Sequence, residues 1–243
     1  MRRPLTVILV ITIILSFSTP QAFGFVLSNA GTLGQGNSAF ASVTSTNKIT
    51  TDILSAYSTH LENYAFGTIA QYGLFDNLDI MLGFGGISYS LTPDIGLDML
   101  GGNFFGTGIK YNVFDEGEDI PVSLAFLAQY LVIPATLVDM GKKHNGYNYD
   151  TYYKLILSRN LSVFFPYVAL GLNSRYLKIG DMSSTSTIGQ IDIGYGAPIT
   201  KRMFVGVEIN WSTYWHDKVM DSILGTETLN SALGYSFGVQ CLL

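Results

Sequence analysis

The chain has 243 residues, enough for one all-β domain or two smaller ones, and its 26 Gly, 15 Tyr and 15 Phe favour β structure in a single domain. Charged residues make up 13%, about half the usual share for soluble globular proteins, while hydrophobic residues at 48% are ordinary, so the surface is short of charge. A formal charge of −5 without clustered Lys and Arg argues against nucleic acid as a partner.

Arg2 and Arg3 precede an apolar stretch over residues 5–17, and Ala22-Phe23-Gly24 places small residues at the −3 and −1 positions of a cleavage site. This is the pattern of a secretory signal peptide over residues 1–24. The apolar stretch is shorter than the ~20 residues of a spanning helix, and no other run approaches that length, which makes an uncleaved anchor the lesser alternative. Export without an inner-membrane anchor leaves periplasm, outer membrane or medium. Removing two arginines and no acids takes the formal charge to −7. Residues 25–50, rich in Gly, Ser, Asn and Thr, show no clean strand pattern apart from 40–46. They remain open as a periplasmic arm, a plug entering a lumen, or extra strands raising the count to twelve.

Over residues 51–243 a two-residue rhythm recurs. Leu78, Ile80, Leu82 and Phe84 oppose Asp79, Met81, Gly83 and Gly85; Phe105, Ile109 and Tyr111 oppose Gly106, Gly108 and Lys110; Met203, Val205, Val207, Ile209 and Trp211 oppose Phe204, Gly206, Glu208 and Asn210. Successive side chains of a strand point to opposite faces, so each segment has one oily face and one small or polar face. Strands are expected near 51–60, 63–74, 78–89, 103–114, 121–133, 149–158, 163–176, 186–198, 203–215 and 229–242, about ten in all. At ~10–14 residues they exceed the ~5–6 of soluble sheets and suit the ~9–11 of tilted strands that cross a bilayer. Short turns near 75–77, 115–120, 159–161 and 200–202 alternate with longer segments at 90–102, 134–148, 177–185 and 216–228. Short turns and long loops thus fall at opposite ends, an arrangement that in outer-membrane barrels puts the short turns and both termini in the periplasm.

On these segments the chain resembles bacterial outer-membrane β-barrel proteins over essentially all of residues 51–243. The closing segment adds a second likeness: Ser236, Gly238, Cys241 and Leu243 fill the places of the assembly signal with which such chains end, although Leu243 stands where the family usually carries an aromatic. The resemblance implies an all-β, transmembrane, antiparallel up-and-down barrel in the outer membrane, with its lipid and the barrel-assembly machinery as partners. The lone Cys241 has no internal disulfide partner and reads as a small hydrophobe.

The inward parity carries Asp79, Lys110, Gln129, Asp150, Lys154, Arg175, Gln190, Asp192, Glu208 and Asn210. In a narrow barrel opposite charges are expected to pair across the lumen, because unpaired buried charge is costly. The functional alternative is a polar lumen passing small solutes, with inward glycines 83, 85, 106, 108, 171, 194 and 196 making room for water or a plug. Outward Tyr57, Tyr111, Tyr130, Tyr153, Tyr176, Trp211 and Trp215 fit an interfacial girdle, while Tyr64 and Tyr72 are ambiguous. Catalysis finds little support. Ser58, His60 and Glu62 share a face but lie ~7 Å apart along a strand, and His216-Asp217 with Asp94 and Asp98 has the wrong parity for a rim protease. His60, His144 and His216 lack metal-ligand spacing, and no cofactor is expected. The expected function is therefore an outer-membrane barrel, structural or a passive small-solute channel. The alternatives are a rim-active hydrolase or protease, and a soluble periplasmic barrel that binds an apolar ligand with its oily faces turned inward.

Overall fold

The computed structural model describes residues 30–50, 60–92, 97–117, 119–139, 142–179, 182–216 and 230–243. The expected signal peptide, the expected strand near 51–60 apart from His60, and most of the segment 216–228 lie outside them. Eleven strands follow in chain order: β1 (Ser38–Thr50), β2 (His60–Phe75), β3 (Leu78–Thr92), β4 (Leu97–Leu100), β5 (Asn103–Phe114), β6 (Ser123–Asp139), β7 (Lys142–Ser158), β8 (Phe165–Ile179), β9 (Met182–Pro198), β10 (Met203–His216) and β11 (Asn230–Leu242). Ten of them pair antiparallel in a closed ring, β1 with β11 and β6 with β7 completing it, while β4 adds only to the far end of β6. The fold is the expected all-β, ten-stranded antiparallel barrel.

Two expectations about the wall are corrected. β1 pairs with β2 on one side and β11 on the other, so residues 38–50 take the wall position that the rhythm had assigned to 51–60, and the barrel begins inside the segment read as arm, plug or extra strand. The segments 134–148 and 177–185 are not long loops. β6 runs to Asp139 and β7 starts at Lys142, and β8 runs to Ile179 with β9 from Met182, so both hairpins extend the wall. Beyond the apolar band of the wall no oily face is needed, so the alternation fades although the ladder continues.

One row of paired residues gives the barrel's shape. From Phe204 it passes through Gln240, Ala41, Ile69, Gly83, Gly106, Leu131, Asp150, Arg175 and Ser186, and returns to β10 at His216, a shift of 216 − 204 = 12 residues. With ~3.3 Å per residue and ~4.8 Å between strands, ten strands and this shear correspond to a tilt of about 40° and a backbone radius of about 10 Å. Side chains reaching inward from such a wall meet at its axis.

The outward face is apolar and exposed on most strands, as with Phe66, Phe84, Leu82, Leu170, Leu172, Ile193, Ile209 and Tyr235. The inward face is buried. Part of it is polar, but Ile69, Met81, Phe104, Leu127, Leu131, Ile133 and Ile156 form a continuous apolar cluster on the β2–β7 side of the lumen. An exterior of this kind overturns the soluble-barrel alternative, which requires oily faces inside and charge outside.

Candidate functional site: the barrel lumen

The lumen holds, among the described residues, four buried acids and three buried bases, gathered in three groups along the axis. At the end that carries the termini, Lys110 of β5 faces Asp79 of β3 at 3.8 Å, and Gln71 Nε2 donates to Asp79 at 2.6 Å. Residues 30–33 enter the barrel mouth here. Lys110 Nζ donates to the Gly31 carbonyl at 2.5 Å, the Leu33 N–H is shared between both Asp79 oxygens at 3.2 Å, and Asn112 Nδ2 donates to the Ala30 carbonyl. The Ala30 N–H in turn donates to Ser158 Oγ at 3.0 Å. This strap then turns into β1 through Gly34 and Gly36, both at positive φ, and its Gly36 N–H bonds the Gly73 carbonyl. A side chain at Gly73 would collide with the Gly34 backbone, so the glycine is what lets the strap lie against β2.

In the middle of the barrel, Lys154 of β7 bonds Asp192 of β9 at 2.5 Å, and Glu208 acts electrostatically on the same lysine. Gln190 Nε2 also donates to Asp192, and Tyr167 OH of β8 donates to Glu208 of β10 at 2.9 Å. Nearer the far end, Arg175 Nε donates to Asp150 at 2.8 Å, with Tyr152 OH donating to the same carboxylate at 3.3 Å. Asn47 of β1 donates to Asn63 of β2 at 3.2 Å.

Several of these contacts skip a strand, and a glycine stands on the strand they cross. Lys154 reaches β9 over Gly171 of β8, where an added Cβ would sit 3.0 Å from Lys154 Cγ. Tyr167 reaches β10 over Gly194 of β9, where a Cβ would strike the Tyr167 hydroxyl. Asn47 and Asn210 both lean over Gly234 of β11. The apolar side follows the same rule, because the Phe104 ring lies over Gly67 and Gly85, and Met81 lies beside Gly108. At Gly67, Gly85, Gly108, Gly171, Gly194 and Gly234 the missing side chain therefore makes room for a side chain of a neighbouring strand.

All ten polar residues singled out from the sequence face inward and are buried, with Lys110, Asp79, Lys154, Asp192, Arg175, Asp150 and Glu208 in the groups above. Gln129 and Asn210 lie between them, and Gln190 joins the middle group. The sequence reading missed Tyr152 and Tyr167, whose hydroxyls bond Asp150 and Glu208, and it missed the apolar half of the lumen. Their positions on the inward parity of β2, β3 and β5 to β8 were the available signal. The strap residues carried none, since only their backbone atoms meet the lumen side chains. At the mouth, a cavity of about 470 Å³ lies between the strap, Gln71, Gln240 and the β9–β10 turn with Lys201 and Arg202, and none of its lining reaches past Lys110.

Outside the barrel, Tyr130, Tyr149, Tyr147 and Tyr176 form a contiguous group with ring centroids 6.2–6.4 Å apart toward the far end. Tyr64, Tyr72, Tyr111, Tyr153 and Trp211 are outward and exposed as well. The side chains of Tyr57, Trp215, Ser58, His60, Asp94, Asp98, His216 and Asp217 lie outside the described residues, and His144 is exposed. Among the described residues no three His, Cys, Asp or Glu side chains gather as a metal site. On β11, Ser236 and Gly238 are buried and Cys241 is half-buried, and Leu243 just beyond it is exposed.

No protein-family model matches the chain. No curated protein matches it either. Solved structures do. The translocator domain of autotransporter NalP from Neisseria meningitidis superposes with a TM-score of 0.52 at 8% identity, over 86% of this chain and 88% of that one. An outer membrane channel from Pseudomonas putida F1 gives 0.46 at 10% identity, over 89% and 98%. The outer membrane protease OmpT from Escherichia coli gives 0.42 at 11% identity, over 94% and 100%. The closed antiparallel ring and its likeness to such a translocator domain give this chain the fold of the bacterial outer-membrane β-barrels.

Proposed function

We propose that this chain is an outer-membrane barrel of structural type, whose lumen is a packed core and not a conduit. Its oily exterior meets the acyl chains, its two termini and short turns face the periplasm, and the segments joining strands at the far end face outward. The observation that carries this reading is the filled lumen. Around one level of the barrel Val43, Ile69, Met81, Leu127, Ile156, Lys154, Asp192 and Glu208 are each at most 3% exposed, which supports a lumen packed with side chains at that level. A conducting pore leaves its lining wetted, and wide aqueous channels need ~16–18 strands. A polar network that cross-links β7 to β9 and β8 to β10 serves rigidity in such a barrel. The neighbours include a channel and a protease, and those properties are theirs.

Planar-bilayer recording tests the reading. Protein inserted at high density is expected to leave the membrane at its baseline conductance, and reproducible steps abolished by bulky substitutions in the lumen would overturn it. The coarser part has its own check: the chain should pellet with membranes and come into solution only with detergent.

A further inference from the structure

A groove of about 530 Å³ crosses the outer wall from β10 to β6. Its lower edge is a single row of paired residues, Trp211, Ile191, Leu170, Leu155 and Phe126, one from each of five neighbouring strands. Four inter-strand steps make that row about 19 Å long. The row above runs Thr213, Gly189, Leu172, Tyr153. Gly189 is on the outward parity of β9, so where its neighbours raise Thr213 and Leu172 it raises nothing, and the groove is the trough left behind.

The trough has a direction. Thr213 is near the far end of β10, level with the upper aromatic residues, whereas Phe126 is near the start of β6 at the end of the termini. Thr213 is thus the polar side chain at its upper end; apart from Tyr153 and the inward-facing Lys154 and Gln190, the rest of its lining is aliphatic, aromatic or glycine. The groove is continuous with the exposed apolar belt on either side of it.

From this shape we infer that the groove is a seat for one lipid acyl chain, entering beside Thr213 at the far-end interface and running obliquely down to Phe126. The inference rests on the reading that the wall faces lipid. A chain lying on a smooth wall touches protein along one side. In the trough it is flanked by both rows, and each added carbon–carbon contact contributes only ~0.1–0.2 kcal/mol, but they accumulate along the chain. The volume has room for on the order of fifteen methylene groups at interior packing density, the scale of one chain and not of a whole lipid. No change in the lipid is implied, only a longer residence than on the remainder of the belt.

The test uses the full chain reconstituted in dioleoyl phosphatidylcholine vesicles with a trace of phosphatidylcholine spin-labelled near the end of one chain. Electron spin resonance counts the motionally restricted lipids per protein. The expected result is one restricted lipid per chain lost in Gly189→Phe and in the milder Gly189→Leu, and kept in Leu82→Phe, a change on β3 away from the groove. Equal numbers in all four proteins would overturn the inference while leaving the membrane reading intact. So would a wild-type dimer, seen by light scattering, that Gly189→Phe dissolves, because a second copy then fills the groove. If no restricted lipid is seen with any of them and the protein stays outside the vesicles, the membrane reading itself fails and the inference with it. Far-UV circular dichroism confirms that each variant keeps its strands.

Discussion

Gly194 and Gly196 stand two residues apart on the same inward face of β9, yet they have different work to do. A Cβ on Gly194 would strike the Tyr167 hydroxyl, whereas on Gly196 it would find nothing closer than 3.7 Å. Gly194→Ala is therefore expected to break the Tyr167–Glu208 bond and to lower stability by about 1–3 kcal/mol, the cost of leaving a buried polar group unsatisfied. Gly196→Ala is expected to be close to neutral or slightly stabilising, by up to ~1 kcal/mol. Urea unfolding of both variants in vesicles separates the two outcomes. Lys154 offers a second test at this scale. Its removal leaves Asp192 and Glu208 facing each other without their cation, so Lys154→Met is expected to cost about 3–5 kcal/mol, and Lys154→Met combined with Asp192→Leu to recover much of that loss. A double-mutant cycle measures the coupling.

Among the elements, β1 is the one whose pattern misleads. Its outward residues are Phe40, Ser42, Thr44, Thr46 and Lys48, and its inward ones Ala39, Ala41, Val43, Ser45 and Asn47. The usual polarity is inverted, because Ala41 and Val43 join the apolar cluster inside the barrel. A strand of small residues on both faces gives too weak an alternation of oily against small or polar, and the stronger alternation of 51–60 points to that segment instead. The strap before it was legible as one of three options and no more. Its fixing points are backbone atoms, and which lumen side chains they meet is decided by the closed ring. With Asp79→Asn the charge-assisted bond from the Leu33 N–H is lost, so that amide is expected to exchange with deuterium at least about tenfold faster, which is about 1.4 kcal/mol of local opening, while strands β7 to β9 keep their protection. Unchanged exchange at Leu33 would show that the strap is held without Asp79.

Across the whole molecule, the exposed apolar exterior and the filled interior fit the proposed reading, a barrel that sits in lipid and stays shut. A charge on the outer wall tests the first half. Leu82 is exposed on β3 between the two aromatic levels, and Leu82→Arg is expected to cost about 2–4 kcal/mol in a bilayer, the scale for a cation near the midplane. The same change on a water-facing wall would be nearly neutral, so the unfolding free energy in vesicles decides between them.

What the amino-acid order determined by itself is the two-sidedness of the strands, their number to within one or two, and the list of charged residues on the inner face. Those follow from the period of the strand, which is local and survives without any partner. Only the tertiary structure decided that the lumen is full. Strand-to-strand neighbours are set by the shear of 12 over ten strands, and this register alone brings Lys154 across Gly171 to Asp192 and lays the Phe104 ring over Gly67 and Gly85. A glycine on an inward face means space in either reading; what fills the space is a residue from another strand, and one chain position cannot name it.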